Sequence, residues 1–265
     1  MTFVSSSIYD IWRAAVADHR PVAIATVVEG GLPGSKVIVG DGIDPTGSLG
    51  DPDLDRVVIR DTLGELAGGR SGVRHYGPHG EAREDAVSVF IESFAPPPHM
   101  LIFGAVDFTA ALVRVAKVMG YRVTVCDARE VFATPRRFPG ADDVVVDWPH
   151  RYLEQVGDRL GPRDAVCVLT HDHKFDVPAI RAALATSVGY LGAMGSRRTC
   201  AERLERLAAD GADMDAVSAR LHAPIGLDLG GRTPEETAIA ICAEIIAART
   251  GRVSASLSDT TGSIH

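Results

Sequence analysis

Residues 100–127 read MLIFGAVDFTAALVRVAKVMGYRVTVCD, and this stretch decides the fold. Met100-Leu101-Ile102-Phe103 is an apolar run too short for a helix and bounded by Gly104, so it reads as a buried strand. Phe108, Ala111, Leu112, Val115 and Met119 then recur at helical spacing, with Gly120 where a C-terminal cap glycine belongs. Arg122 to Cys126 is a second apolar strand that ends at Asp127. Strand, tight turn, helix, strand and terminal acid form the first half of a mononucleotide-binding fold. A dinucleotide fingerprint wants glycine at the first, third and sixth positions of the turn, and here these are Gly104, Val106 and Thr109. The fold signal is complete while the nucleotide signal is broken.

Downstream, strands and helices alternate. Strands are expected at Asp143–Val146, Ala165–Leu169 and Tyr190–Met194, and helices near 150–159, 177–185, 196–209 and 234–248. Thr233-Pro-Glu-Glu236 is a capping box with proline at the first helical position. This alternation implies a mostly parallel sheet with helices on both faces. Upstream, a short helix over 8–19 precedes β runs at Val22–Val28, Lys36–Val39, Val57–Ile59 and Ala86–Glu92. Residues 40–55 read as turns, and 64–84 as a glycine-rich, charged, mobile loop. Pro96-Pro97-Pro98 supplies no backbone donors and reads as a linker. The expected class is therefore α/β, a C-terminal Rossmann-like parallel sheet over 99–250 joined by the 96–98 linker to a smaller β-rich N-terminal domain over 1–95. The Ser/Thr/Gly-rich tail, 251–265, is expected to be disordered.

The chain has 265 residues, a net charge of −8, 46% apolar and 23% charged residues, an ordinary globular composition. An acidic protein is attracted neither to nucleic acid nor to anionic membranes, and no apolar run approaches the ~20 residues of a membrane span. No basic region followed by an apolar core begins the chain, so no signal peptide is expected. Cys126, Cys167, Cys200 and Cys242 lack close metal spacing and fit a reducing, cytoplasmic setting.

In open parallel sheets, ligands bind beyond the C-terminal strand ends. The residues following the five strands are Gly104–Asp107, Asp127–Arg129, Asp147-Trp148, Thr170–His173 and Gly195–Arg198, and all five groups are expected at one edge. Gly104 opens a helix N-terminus that favours an anion, although the Asp107 carboxylate competes and can act as a plain cap. Asp127 follows Gly104 by 23 residues, near the spacing of a ribose-binding acid, or it caps a turn. Thr170, His171, Asp172 and His173 form the densest group of potential catalytic residues. A general acid–base role is open there, metal ligation by His171, His173 and Asp176 is less favoured, and a solvated loop is the plain reading. Ser196 can cap a helix whose N-terminus carries Arg197 and Arg198, a placement that opposes the helix dipole unless an anion lies between them. Gly230-Gly231-Arg232-Thr233 repeats the pattern, so Arg232 is a candidate for the same anion. Cys200 in the first turn of the Ser196 helix reads as a small half-buried residue rather than a reactive thiolate.

Taken together, Leu101–Arg129, Leu169–Ile180 (LTHDHKFDVPAI), Tyr190–Thr199 (YLGAMGSRRT) and Pro224–Ile245 (PIGLDLGGRTPEETAIAICAEI) resemble the XdhC/CoxI family of xanthine dehydrogenase accessory and carbon monoxide dehydrogenase maturation proteins. Pro21–Glu29, Gly31–Val39 and Gly47-Ser48-Leu49-Gly50 resemble the family's N-terminal motifs, with Lys36 on the usual basic position. The chain departs from the family in several places. The loop before Pro33 is shorter, Asp51-Pro52-Asp53 stands where glycine and then glutamate are common, the loop before Val87 lacks a cysteine, and Gly104-Ala-Val-Asp107 replaces GxGH. The resemblance implies a chaperone, not itself an enzyme, that carries molybdenum cofactor as molybdopterin or its dinucleotide. It further implies protection of the cofactor during sulfuration with a cysteine desulfurase, delivery to a molybdenum hydroxylase apoenzyme, and a homodimer. The alternative reading is an NAD(P)-dependent oxidoreductase built on the Gly104 helix, Asp127 and the 171–173 histidines.

Overall fold

The computed structural model describes residues 7–40, 42–82 and 84–261. The chain divides into two compact units, Met1–Pro96 and Pro97–His265. The last four residues of the tail, 262–265, lie outside the described residues.

The first unit runs α1 (Ile8–Ala17), β1 (Val22–Glu29), β2 (Lys36–Gly40), β3 (Ile43–Ser48), α2 (Pro52–Gly68), β4 (Gly72–Tyr76) and β5 (Val87–Phe94). Its strands form one antiparallel sheet in the order β3-β2-β1-β5-β4. β1 is apolar over most of its length because both of its faces are covered. Val22 and Ile24 pack with Ile8, Ile11, Trp12 and Ala15 of α1. Ala25 and Val27 pack with Leu54 and Val58 of α2, and Ala23 with Leu66.

Three expectations for this unit are corrected. Val57-Val58-Ile59 is not a strand but part of α2. Asp51 caps that helix by accepting from the Asp53 and Leu54 amides, Pro52 sits in its first turn, and Leu54, Val58, Thr62, Glu65 and Leu66 are its buried residues. Helical phase with the sheet thus overrides the strand preference of three β-branched residues. Residues 40–55 are not all turns, since β3 forms an edge strand there, where Pro45 is tolerated. The 64–84 segment contains the end of α2 and the opposite edge strand, β4.

The second unit runs β6 (His99–Phe103), α3 (Asp107–Val118), β7 (Arg122–Cys126), β8 (Asp143–Val145), α4 (Pro149–Val156), β9 (Ala165–Val168), α5 (His173–Leu184), β10 (Tyr190–Ala193), α6 (Arg197–Ala209), α7 (Met214–Arg220), β11 (Leu221–His222) and α8 (Pro234–Thr250). The six strands order as β11-β10-β9-β6-β7-β8, all parallel. Sequence reading missed α7 and the two-residue β11, whose short segments carry too few periodic positions to stand out. Helix α5 begins at His173, ahead of the expected Val177.

Alternate residues of β6 feed two cores. Met100 and Ile102 pack with α3 and α8 through Leu112, Ala116, Ile241 and Ile245. Leu101 and Phe103 pack on the opposite face with Leu153, Ile180, Leu207 and Val217. The strand order reverses between β6 and β9, so their two following loops diverge and leave a crevice at the C-terminal edge.

Candidate functional site

The crevice is closed at its base by backbone contact. Gly104 has φ +113°, and a Cβ there would lie 2.8 Å from the Thr170 amide nitrogen. Only glycine lets the β6 and β9 ends approach so closely without strain. Above them opens a cleft of about 430 Å³ lined by Val106, Arg129, Thr170, His171, Asp172, His173 and Phe175. Three of the five strand-end groups therefore line one cavity. From the β8 end, Trp148 packs on Phe175 with ring centroids 5.0 Å apart. The Gly195–Arg198 group stands at the end of β10 and does not line the cleft.

The turn that holds phosphates in a dinucleotide fold is closed on itself here. The Ala105 amide donates to Asp127 Oδ2 at 2.8 Å. The Val106 amide donates to Thr109 Oγ1 at 3.3 Å, and that hydroxyl donates to the Gly104 carbonyl. Thr109, at the third glycine position, is fully buried. Asp107 remains exposed, 3.9 Å from Arg137, whose guanidinium also donates to the Ala105 carbonyl.

Asp127 is 2% exposed. Its Oδ1 accepts from the Arg129 amide and Nε, both at 2.9 Å, and its Oδ2 accepts from Arg129 Nη2 at 2.7 Å besides Ala105. Burial pushes this carboxyl up, but the Arg129 side chain and the two amides outweigh it and hold it below its ordinary value. The guanidinium of Arg129 lies over the Phe132 ring, 4.6 Å from its centroid.

Thr170 is buried and its hydroxyl donates to Asp176 Oδ1. Asp176 Oδ2 accepts from Arg203 Nη2 at 2.8 Å, which also donates to the Met194 carbonyl at 2.8 Å. This line ties the ends of β9 and β10 to α5 and α6. Burial raises the Asp176 carboxyl, against the pull of Arg203. Asp172 caps α5 through the Lys174 amide, leaving His171 and His173 exposed at the mouth. Among the described residues no group of three or more His, Cys, Asp or Glu side chains is placed to hold a metal ion.

The remaining candidates sit as follows. Ser196 caps α6 through the Thr199 amide, and Arg198 pairs with Glu202. Arg197 is exposed. The N-terminus of α8 already has an anion of its own, because Glu236 accepts from the Arg232 and Thr233 amides at 2.7 and 3.0 Å. Lys36 belongs to the other unit and donates to Thr26. Cys200 is buried, 3.8 Å from Arg203. Sequence reading passed over Arg129, Phe175 and Arg203 as individual contributors. The legible signal was Arg203 itself, a charged residue in phase with buried Cys200 and Leu207 on α6.

Residues 100–245 match the XdhC Rossmann domain, and residues 15–77 match the XdhC and CoxI family. A Bacillus subtilis protein described as a probable xanthine dehydrogenase subunit is 30% identical over 166 residues, which cover 63% of this chain and 47% of that protein. The molybdenum cofactor insertion chaperone PaoD of Escherichia coli is 26% identical over 160 residues, 60% of this chain and 43% of that one. The chain spans less than half the length of the curated relatives it matches. A crystal structure of a xanthine dehydrogenase from Bacillus halodurans shares the fold, with a TM-score of 0.52 at 20% identity over 95% of this chain and 98% of that chain. Among the described residues no helix is long and apolar enough to cross a membrane. With the Rossmann match alone spanning more than half of its 265 residues, the chain belongs to the XdhC and CoxI family.

Proposed function

We propose that this protein binds molybdenum cofactor as cargo at the β6–β9 crevice, shields it, and passes it to a molybdenum hydroxylase apoenzyme. One observation carries the reading. The cleft combines an arginine, two exposed histidines and an aromatic wall, while the turn that would hold a nicotinamide dinucleotide has its Ala105 and Val106 amides satisfied internally. The organic part of the cofactor joins a flat polar ring system to a phosphate. Phe175 offers the ring a face, and His171 and His173 offer polar nitrogens. The E. coli relative, a molybdenum cofactor insertion chaperone, supports the same class.

In this reading Gly104 and Thr170 set the floor of the crevice, Asp127 holds the frame of its first turn, and Asp107 stands exposed beside that turn. Gly195, Ser196, Arg197, Arg198 and Arg232 stand at or just before two other helix N-termini and do not line the cleft, and Lys36 belongs to the first unit, so none of them is assigned to this site. His171, Asp172 and His173 are binding groups to which no catalytic step is assigned. Sulfuration of the bound cofactor by a cysteine desulfurase, a dimeric state and a cytoplasmic setting belong to the proposal.

An anaerobic titration of the purified protein with cofactor released from a molybdoenzyme tests it. Saturable binding is expected, and oxidised extracts of the loaded protein should yield a fluorescent pterin. No detectable affinity would sink the reading. Calorimetry with NAD and NADP at millimolar concentration is run beside it. No binding is expected there, and saturable uptake of either would favour the oxidoreductase alternative.

A further inference from the structure

Among the described residues lining the cleft, Arg129 is the only arginine or lysine. Its neighbour Asp127 stands where a dinucleotide fold places the acid that reads a ribose. A carboxylate has about four lone-pair sites. All four directions are taken, by the Ala105 amide, the Arg129 amide, Arg129 Nε and Arg129 Nη2, at 2.7 to 2.9 Å. Asp127 therefore has no acceptor left for a pair of ribose hydroxyls. The ribose reader has become the clamp of an arginine.

A guanidinium carries five N–H donors. Asp127 takes the one on Nε and one on Nη2, so Nη1 and the second Nη2 hydrogen remain. The plane of the group is set by the Asp127 fork on one edge and the Phe132 ring on its face. A guanidinium held in this way loses little freedom when it meets a second oxyanion, and its fork matches phosphate. By contrast, Arg198 already pairs with Glu202, and neither it nor Arg197 lines the cleft.

We propose that Arg129, positioned by Asp127, is the residue that selects the ligand of this cleft, and that the group it selects is a terminal phosphate rather than a ribose diol. The inference rests on the cofactor reading of the cleft.

The test uses the full-length protein and the fluorescent oxidised pterin derived from molybdenum cofactor, with its phosphate and after phosphatase treatment. The wild type should bind the phosphorylated form at least about tenfold more tightly, the effect of a charge-assisted hydrogen bond. Arg129→Ala should bring that ratio near one while leaving affinity for the dephosphorylated form in place. A merely structural role would weaken both forms alike. Arg129→Gln keeps a donor for Asp127 without the charge, and it serves as the second variant should the alanine form unfold. Arg197→Ala should leave the ratio unchanged. A ratio that survives in both Arg129 variants, or that collapses instead in Arg197→Ala, overturns the assignment. If the wild type binds neither pterin, the cofactor reading falls by itself. Arg129 is then judged with inorganic phosphate against chloride at equal ionic strength. Phosphate should raise the melting temperature of the wild type and not of Arg129→Gln, and equal shifts in the two overturn the inference.

Discussion

Thr170, Asp176 and Arg203 are each 3% exposed and form an unbroken line under the floor of the cleft. A buried ion pair is weak evidence of stability, yet removing one partner strands a charge out of water. Arg203→Met and Asp176→Asn are each expected to cost about 3–5 kcal/mol in urea unfolding, whereas an apolar replacement of both should recover much of that loss. Gly104→Ala forces a side chain into the left-handed region and against the Thr170 amide, at about 1–3 kcal/mol from the backbone alone. Asp127 gives a pH dependence with a definite sign. Its folded pKa lies below its ordinary value of 3.8, so the unfolded chain takes up the proton first as pH falls. Its contribution is present above about pH 4 and is lost as pH drops through the folded value. Asp127→Asn should thus flatten the acid limb of stability below about pH 4 in urea titrations at stepped pH. Asp127 was visible in sequence by its spacing. Its saturation was not, because one of its donors comes from Ala105, 22 residues away across the first β–α–β turn.

At the scale of elements, α2 shows how local preference and tertiary phase compete. Val57-Val58-Ile59 has the composition of a strand, and only the Asp51-Pro52 start and the Leu54, Val58, Thr62 spacing mark a helix. Val58 is fully buried and Arg60 faces solvent. Val58→Ala is expected to destabilise by about 2 kcal/mol and Arg60→Ala by less than about 0.5 kcal/mol, both read from urea midpoints. Helix α8 is the opposite case, with its start legible residue by residue. Thr233 accepts from the Glu236 amide while Glu236 accepts from those of Arg232 and Thr233. Thr233→Ala should cost about 0.5–2 kcal/mol, seen as an earlier thermal transition. That box was readable because all of its partners lie within a single turn of chain, from Arg232 to Glu236.

The whole molecule is two units, each with hydrophobic clusters of its own. Residues 97–265 produced alone are expected to unfold in one cooperative step by circular dichroism, and a non-cooperative melt would contradict an independent core. The cleft and every residue lining it belong to this second unit. Apolar period and turn chemistry sufficed, from sequence alone, for the β6–α3–β7 start, the alternation of strands and helices after it, and the capped α8. Those signals are local, written in side chains a few positions apart. The strand order, the crevice between β6 and β9, the Asp127–Arg129 clamp closed by Ala105 and the Arg203–Asp176–Thr170 line were decided only by the tertiary structure. Their partners stand far apart in the chain, 27 residues for Asp176 and Arg203 and 65 for the paired Met100 and Ala165, and meet only once the sheet has chosen its neighbours.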